Sequence, residues 1–193
     1  MPNADDTTHR TQSIHIRQER PGDPHDAAAV NTVQRAAFPT PVEAKLLDSL
    51  QQVGAYDPVW SLVAETQDGI VGHCLLTAAT LVHAGGTSDS NRIIALGPIG
   101  VLPAWQRRGV GAALMRAAVQ QADAQGFAAI VLLGHASYYP RFGFRPARAQ
   151  GLYPPADWSD ASWQACRLSS WQAADVGTVH YAAPFMQLDE APH

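Results

Sequence analysis

Two apolar runs joined by one helix-patterned segment constrain this chain more than anything else in it. Arg92–Leu102 (RIIALGPIGVL) reads as a strand. Arg107–Gln125 places Val110, Leu114, Ala117, Ala118 and Gln121 at helical spacing, and Gly126 follows its end. Ala128–Leu133 is a short apolar run of the kind that forms a strand buried on both faces. A helix between two strands demands a crossover, and with it a parallel strand pair. Upstream, Asp68-Gly69 separates the strand-like runs Trp60–Thr66 and Ile70–Val82, which is a hairpin signal and predicts antiparallel pairing there. The expected fold is therefore α/β (α+β): a mixed sheet covered by helices. Gly97-Pro98 interrupts the first run and predicts a bulge or an edge position, because proline has no N–H to give to a ladder.

The remaining elements fit around that unit. Ser13–Glu19 alternates Ile14 and Ile16 with polar neighbours and reads as a first strand. Asp23-Pro24 supplies an N-cap and a first helical residue for a helix that ends near Pro39. A second helix, Val42–Val53, stops at Gly54. The composition of Ala84–Asn91 is that of a flexible loop. Ser137–Phe142 reads as one or two helical turns, and Arg167–Ser170 and Thr178–Phe185 as closing strands. Residues 1–12 are expected to be a flexible segment and 13–193 a single domain.

Composition narrows the class. The 193 residues are 46% hydrophobic and 16% charged, which excludes global disorder. Two cysteines, Cys74 and Cys166, cannot form a disulfide framework and point to a reducing, cytoplasmic setting. Cys74 is expected to be buried and inert, Cys166 to be a surface thiol. Met1–Arg20 carries Asp5 and Asp6 and reads as no secretion signal, and Ile70–Val82 is too short to span a bilayer. None of the eight histidines forms an H-x-x-x-H or H-E-x-x-H pair, so no metal site is expected.

Charge is uneven. The net charge is −4, yet 93–148 holds six arginines and the single acid Asp123. That segment is +5 within an otherwise acidic chain, which suits a local anionic ligand and not a nucleic-acid binder. In Ile99–Gly111 (IGVLPAWQRRGVG) a strand gives way to a turn and then a helix behind Gly109 and Gly111. Free amides and the dipole at a helix start attract anions, and Arg107 and Arg108 add charge at that end. An ordinary strand–helix junction with packing glycines has the same outline. A P-loop is excluded, since the one lysine is Lys45. The dinucleotide fingerprint lacks its third glycine, with Leu114 in that place, and Gly134–Tyr138 fails the hydrolase G-x-S-x-G spacing.

Gln106-Arg107-Arg108-Gly109-Val110-Gly111 resembles the Q/R-x-x-G-x-G/A signature of the GNAT superfamily of N-acetyltransferases. Tyr139–Phe144 (YPRFGF) resembles that superfamily's Y-x-x-x-G-F motif, one strand downstream. Gly151-Leu152 and Gly177–Phe185 further resemble a bacterial branch of predicted N-acetyltransferases. The resemblance spans most of the chain from Ile14 onward. It implies a GNAT-like fold, with a mixed, mostly antiparallel central sheet, helices on both faces and a splayed strand pair, and acetyl-CoA as acyl donor. The pyrophosphate would lie on the amides of the turn formed by Gln106, Arg107, Arg108, Gly109, Val110 and Gly111. The pantetheine would pair with the backbone of Ile99, Gly100 and Val101, in a slot opened where the Gly97-Pro98 bulge parts this strand from Ala128–Leu133.

By the same resemblance, a primary amine of a small molecule or protein attacks the thioester directly, and Tyr139 is the general acid that protonates the departing thiolate. A packing aromatic is the alternative for Tyr139, and Tyr138 is expected to be structural. The glutamate many relatives place on the strand corresponding to Arg92–Leu102 is missing, so Glu43 stands as a base candidate against a plain helix-start carboxylate. His73 and His135 titrate in the useful range, although a structural role is expected of each. Leu132 fills the slot where many relatives have an asparagine. Trp158, Trp163 and Trp171 either cover the core or line the acceptor pocket. Dimers are frequent in similar proteins, so the resemblance admits a homodimer. A non-catalytic acyl-CoA or nucleotide sensor on the same fold is the competing reading.

Overall fold

The computed structural model describes residues 13–83 and 89–190. The expected flexibility of 1–12, and most of the loop expected over Ala84–Asn91, lie outside those residues. The described chain forms nine strands: β1 (His15–Gln18), β2 (Ser61–Thr66), β3 (Gly69–His83), β4 (Asp89–Val101), β5 (Ala129–Leu133), β6 (Arg145–Pro146), β7 (Leu152–Tyr153), β8 (Trp163–Arg167) and β9 (Gly177–His180). Three α-helices accompany them: α1 (Pro24–Ala37), α2 (Val42–Gln52) and α3 (Val110–Ala124).

All nine strands join one sheet, with a main path β1-β2-β3-β4-β5-β8-β6 and with β9 between β3 and β7. The β4–β5 and β7–β9 pairs are parallel and the others antiparallel. The mixed, antiparallel-dominant architecture expected from the sequence is thus the observed one. Along β3, the first half pairs with β2 and the last four residues with β9, on the same edge.

Side chains alternate across the sheet as a two-faced strand requires. Leu62, Ala64, Cys74 and Leu76 face α3, where Val110, Leu114, Met115 and Ala118 close the core. Val63 and Leu75 face the other way, onto Val30 of α1 and Leu46, Leu47 and Leu50 of α2. Asp23 caps α1 as expected, accepting the His25 amide at 2.9 Å. A third apolar group beneath the C-terminal strands contains the fully buried Trp163. Cys166 is buried as well, against the sequence expectation, with Phe142 and Gly143 over its sulfur.

Several boundaries differ from the sequence reading. The β2–β3 hairpin turns at Gln67-Asp68, and Gly69 pairs with Thr66. The Thr66 hydroxyl fixes this turn, accepting the Asp68 amide and donating to the Gly69 carbonyl, each at 3.2 Å. β4 contains the bulge at Gly97-Pro98 yet lies centrally between β3 and β5. α3 begins at Val110, not Arg107, because Arg107 (φ +58°) and Gly109 (φ +86°) are left-handed. The strand expected at Arg167–Ser170 lies earlier, at Trp163–Arg167. Asp123 ends it by binding the Ser169 amide and hydroxyl at 2.8 and 2.7 Å. The run expected to continue to Phe185 leaves the sheet after His180, and a 3-10 helix spans Ala183–Glu190. Pro184 has no N–H with which to extend the ladder.

Candidate active site

The site forms where β4 leaves β5. The parallel pairing covers only Ile93–Ala95 against Ala129–Val131. Beyond Ala95 the β5-facing edge of β4 has no strand partner, and its backbone groups are open to a ligand. Two adjoining cavities occupy the gap, one on each side of Ile99 and Tyr139, which line both together with Phe38.

The larger cavity, of about 580 Å³, runs along the strand–helix turn. Ile99, Gly100 and Val101 form one wall, and Gln106, Arg107, Gly109 and Gly111 form another. Gln106 Nε2 donates to the Val101 carbonyl at 3.1 Å and ties the turn to its strand. Ala113 donates the first helical bond, to the Gly109 carbonyl at 2.9 Å. The amides of Val110, Gly111 and Ala112 therefore have no acceptor within α3 and sit at the positive end of its dipole. Gly109 adopts its left-handed conformation with open space around it. Gly111 is needed for a different reason: a Cβ there would meet the Tyr138 hydroxyl at 2.9 Å.

The structure therefore gathers most of the expected coenzyme set around one opening. Two members do not line it with their side chains. Arg108 turns aside, its guanidinium 5.5 Å from the centre of the Trp105 ring, and the Val110 side chain is buried in the core. Other arginines of the basic segment are also committed elsewhere. Arg148 pairs with Asp160 at 2.6 Å, and Arg145 donates to the carbonyls of Pro140 and Phe144.

Three residues at this cavity escaped sequence reasoning. Tyr138 lines it beside Tyr139, the two rings edge to face at 5.0 Å. Arg141 lies over the Tyr138 ring at 4.3 Å and donates to the Tyr138 carbonyl at 2.8 Å, which holds its charge at the rim. Phe38, just past α1, separates the two cavities. The YYPRF string held the signal for the first two, but the divergence expected of neighbours on a helix does not apply. Tyr138 precedes the 3-10 turn Tyr139–Phe142 and is not within a regular helix.

Tyr139 is placed by its neighbours. Its ring lies against Gly134, with Cζ only 3.0 Å from where a Cβ would stand, and packs edgewise on Phe144. Among the described residues its hydroxyl has no hydrogen-bond partner. Burial raises its pKa, so the phenol stays protonated well above neutrality.

The smaller cavity, of about 210 Å³, lies on the other side of Tyr139. Glu43, in the first turn of α2, lines it and has a buried Oε2 without a hydrogen-bond partner. Trp158 lines it too, whereas Trp163 is core and Trp171 stacks under Arg167.

The histidines separate clearly. His73 is fully buried, accepts from Gln34 Nε2 at 2.7 Å on Nδ1 and donates from Nε2 to Ser61 at 2.9 Å. Ser61 in turn donates to Glu19 at 2.5 Å. Burial pushes the His73 pKa down to about 3, so it is a neutral structural residue and no base. His135 is exposed at the mouth of the larger cavity. Leu132 is buried in the core under α3. Among the described residues no group of three or more His, Cys, Asp or Glu side chains is placed to hold a metal ion, and no helix is long and apolar enough to cross a membrane.

Comparison with known proteins places this arrangement. Residues 58–146 match the model of a family described as an acetyltransferase (GNAT) domain. The uncharacterised N-acetyltransferase YjhQ of Escherichia coli K12 is 33% identical over 166 residues, covering 84% of this chain and 90% of that protein. A GNAT family acetyltransferase from Brucella melitensis, solved in complex with acetyl-CoA, superposes with a TM-score of 0.68 at 30% identity, over 90% of this chain and 98% of that one. The fold is also that of E. coli YhbS, solved in complex with CoA. That structure has a TM-score of 0.76 at 23% identity, and the match covers 91% of this chain and 92% of that one.

Proposed function

The chain belongs to the GNAT family of acetyltransferases, and from that premise we propose that it moves an acetyl group from acetyl-CoA to a primary amine, with the two ligands meeting at Tyr139. The observation that carries this reading is the junction of the two cavities at Ile99 and Tyr139, where β4 has lost its β5 partner. The larger cavity suits the donor in volume and chemistry. Acetyl-CoA supplies an activated thioester carried on a pantetheine arm and a diphosphate.

Each end of that cavity has a matching group. The amides of Val110, Gly111 and Ala112, with Gly109 leaving the approach open, would hold the diphosphate. Arg107 and Arg141 add positive charge at the same mouth. The unpaired edge of β4 over Ile99, Gly100 and Val101 would take the pantetheine amides as a missing strand would be taken. A backbone N–H of that stretch would stabilise the charge that develops on the thioester oxygen. Tyr139 would give its proton to the leaving sulfur, and its raised pKa keeps that proton available. Glu43 would accept the proton of the incoming amine from the far side.

Titration calorimetry with acetyl-CoA, and thiol release with a panel of amines, test this reading together. Saturating acetyl-CoA should raise the melting temperature and give binding heat. Tyr139→Phe should lower turnover by about 100-fold or more, in the range of general-acid catalysis, while coenzyme affinity stays the same. Full turnover in that variant removes Tyr139 from the mechanism, and absence of acetyl-CoA binding by folded protein overturns the assignment.

A further inference from the structure

We infer that the acceptor is a compact primary monoamine on an aromatic or branched apolar body, with its ammonium at Glu43 and its body against a fixed aromatic wall. The inference rests on the acyltransferase reading above and deepens it. Size is the first argument. About 210 Å³ lies below the roughly 300–1,000 Å³ of pockets that enclose drug-sized ligands. A cavity of this size, with Tyr139 and Phe38 in its wall, suits a small free amine.

Wall chemistry is the second argument. Leu46, Pro98, Leu133 and Phe185 give an apolar surface, and Trp158 and Tyr181 add amphipathic rings. The aromatic side is built before any ligand arrives. Trp158 meets Tyr181 edge to face at 5.6 Å, and Tyr181 meets Phe185 at 5.1 Å. Trp163 braces the first two from the core at 5.5 and 6.0 Å. Rings locked in this way accept an apolar body without first having to be ordered.

Charge is the third argument. Glu43 is the one acidic side chain among the described residues lining the cavity. Its Oε2 and the Tyr181 hydroxyl are both buried with no hydrogen-bond partner among the described residues. Leaving such atoms unsatisfied is costly, and an ammonium with its N–H donors is the group that would satisfy the carboxylate. The faces of the surrounding rings favour the same cation. No arginine, lysine or histidine among the described residues lines the cavity, so an amino acid would bring its carboxylate toward Glu43 uncompensated. A polyamine would leave its second ammonium against the apolar wall.

The test uses the intact protein with saturating acetyl-CoA and reads thiol release. Phenethylamine is compared with phenylalanine, which adds only a carboxylate, and with spermidine and a lysine-containing peptide. Phenethylamine should show a kcat/KM at least tenfold above each of the other three. Glu43→Gln should raise the KM for phenethylamine by tenfold or more with calorimetric acetyl-CoA affinity unchanged, and Tyr181→Phe should raise it less. The wild-type comparison needs no variant to fold. Preference for spermidine, the peptide or phenylalanine overturns the inference, as does inert phenethylamine with a protein that binds acetyl-CoA; in each case the donor-site reading survives. Failure to bind acetyl-CoA overturns both.

Discussion

At Tyr139, position and protonation have a common origin in close packing. The ring is pressed onto Gly134, the residue that follows β5, and the burial that results is what raises the phenol pKa. Gly134 is thus a positioning residue. Gly134→Ala would put a methyl group into the Tyr139 ring and push it from the cavity junction. Turnover should fall by about tenfold or more, in line with the sensitivity of reactions to displacements near 1 Å, while acetyl-CoA affinity measured by calorimetry changes little. Equal loss of turnover and affinity would show that the substitution disturbs the whole cleft. Tyr139 itself is legible through the resemblance of Tyr139–Phe144 to the Y-x-x-x-G-F motif. Tyr138 is not, because its place at the site comes from Gly111, which lies 27 residues earlier in sequence and meets it only through folding.

The strand–turn–helix element is legible in kind and wrong in detail. Its glycines mark the turn, yet the helix starts three residues late. Propensity alone runs the helix back through two arginines, and the left-handed geometry at Arg107 and Gly109 is a tertiary choice that no periodicity encodes. That geometry is also what aims the free amides of α3 into the cavity. Gly109→Val forces a β-branched side chain into a left-handed conformation, at a cost of roughly 1–2 kcal/mol. It should therefore lower thermal stability modestly and weaken acetyl-CoA binding. Unchanged affinity would show that the amides are not the diphosphate site. The closing strands were misplaced for a comparable reason. Their ends are decided by Asp123 on α3 and by Pro184, not by the apolar content of the runs themselves.

On the scale of the molecule, the crossover and the hairpin were enough to predict a mixed sheet, and the alternation along β2 and β3 divides cleanly between its two faces. What the sequence hides is the polar thread through that core, Gln34–His73–Ser61–Glu19, which joins α1 to β3, β2 and the residue that follows β1. His73 is neutral in the folded protein and titrates near 6.5 when unfolded, so the unfolded state takes up a proton first as pH falls. Its contribution is constant above pH 6.5 and is lost progressively from there toward about pH 3, at up to about 1.4 kcal/mol per pH unit. Urea denaturation between pH 7 and 5 should show that slope, and His73→Gln should flatten it. An identical slope in the variant would assign the acid sensitivity to other groups.

The long third strand gives one edge to two different neighbours, and this divides the labour of recognition along the chain. Apart from Ala37 and Phe38, the larger cavity is lined by a single stretch, 99–141, while the smaller one draws Glu43 and Leu46 from α2 and Trp158, Tyr181 and Phe185 from beyond 157. On the proposed assignment of the two cavities, substitutions in α2 and beyond 157 should retune which nucleophile is accepted and leave the thioester grip untouched.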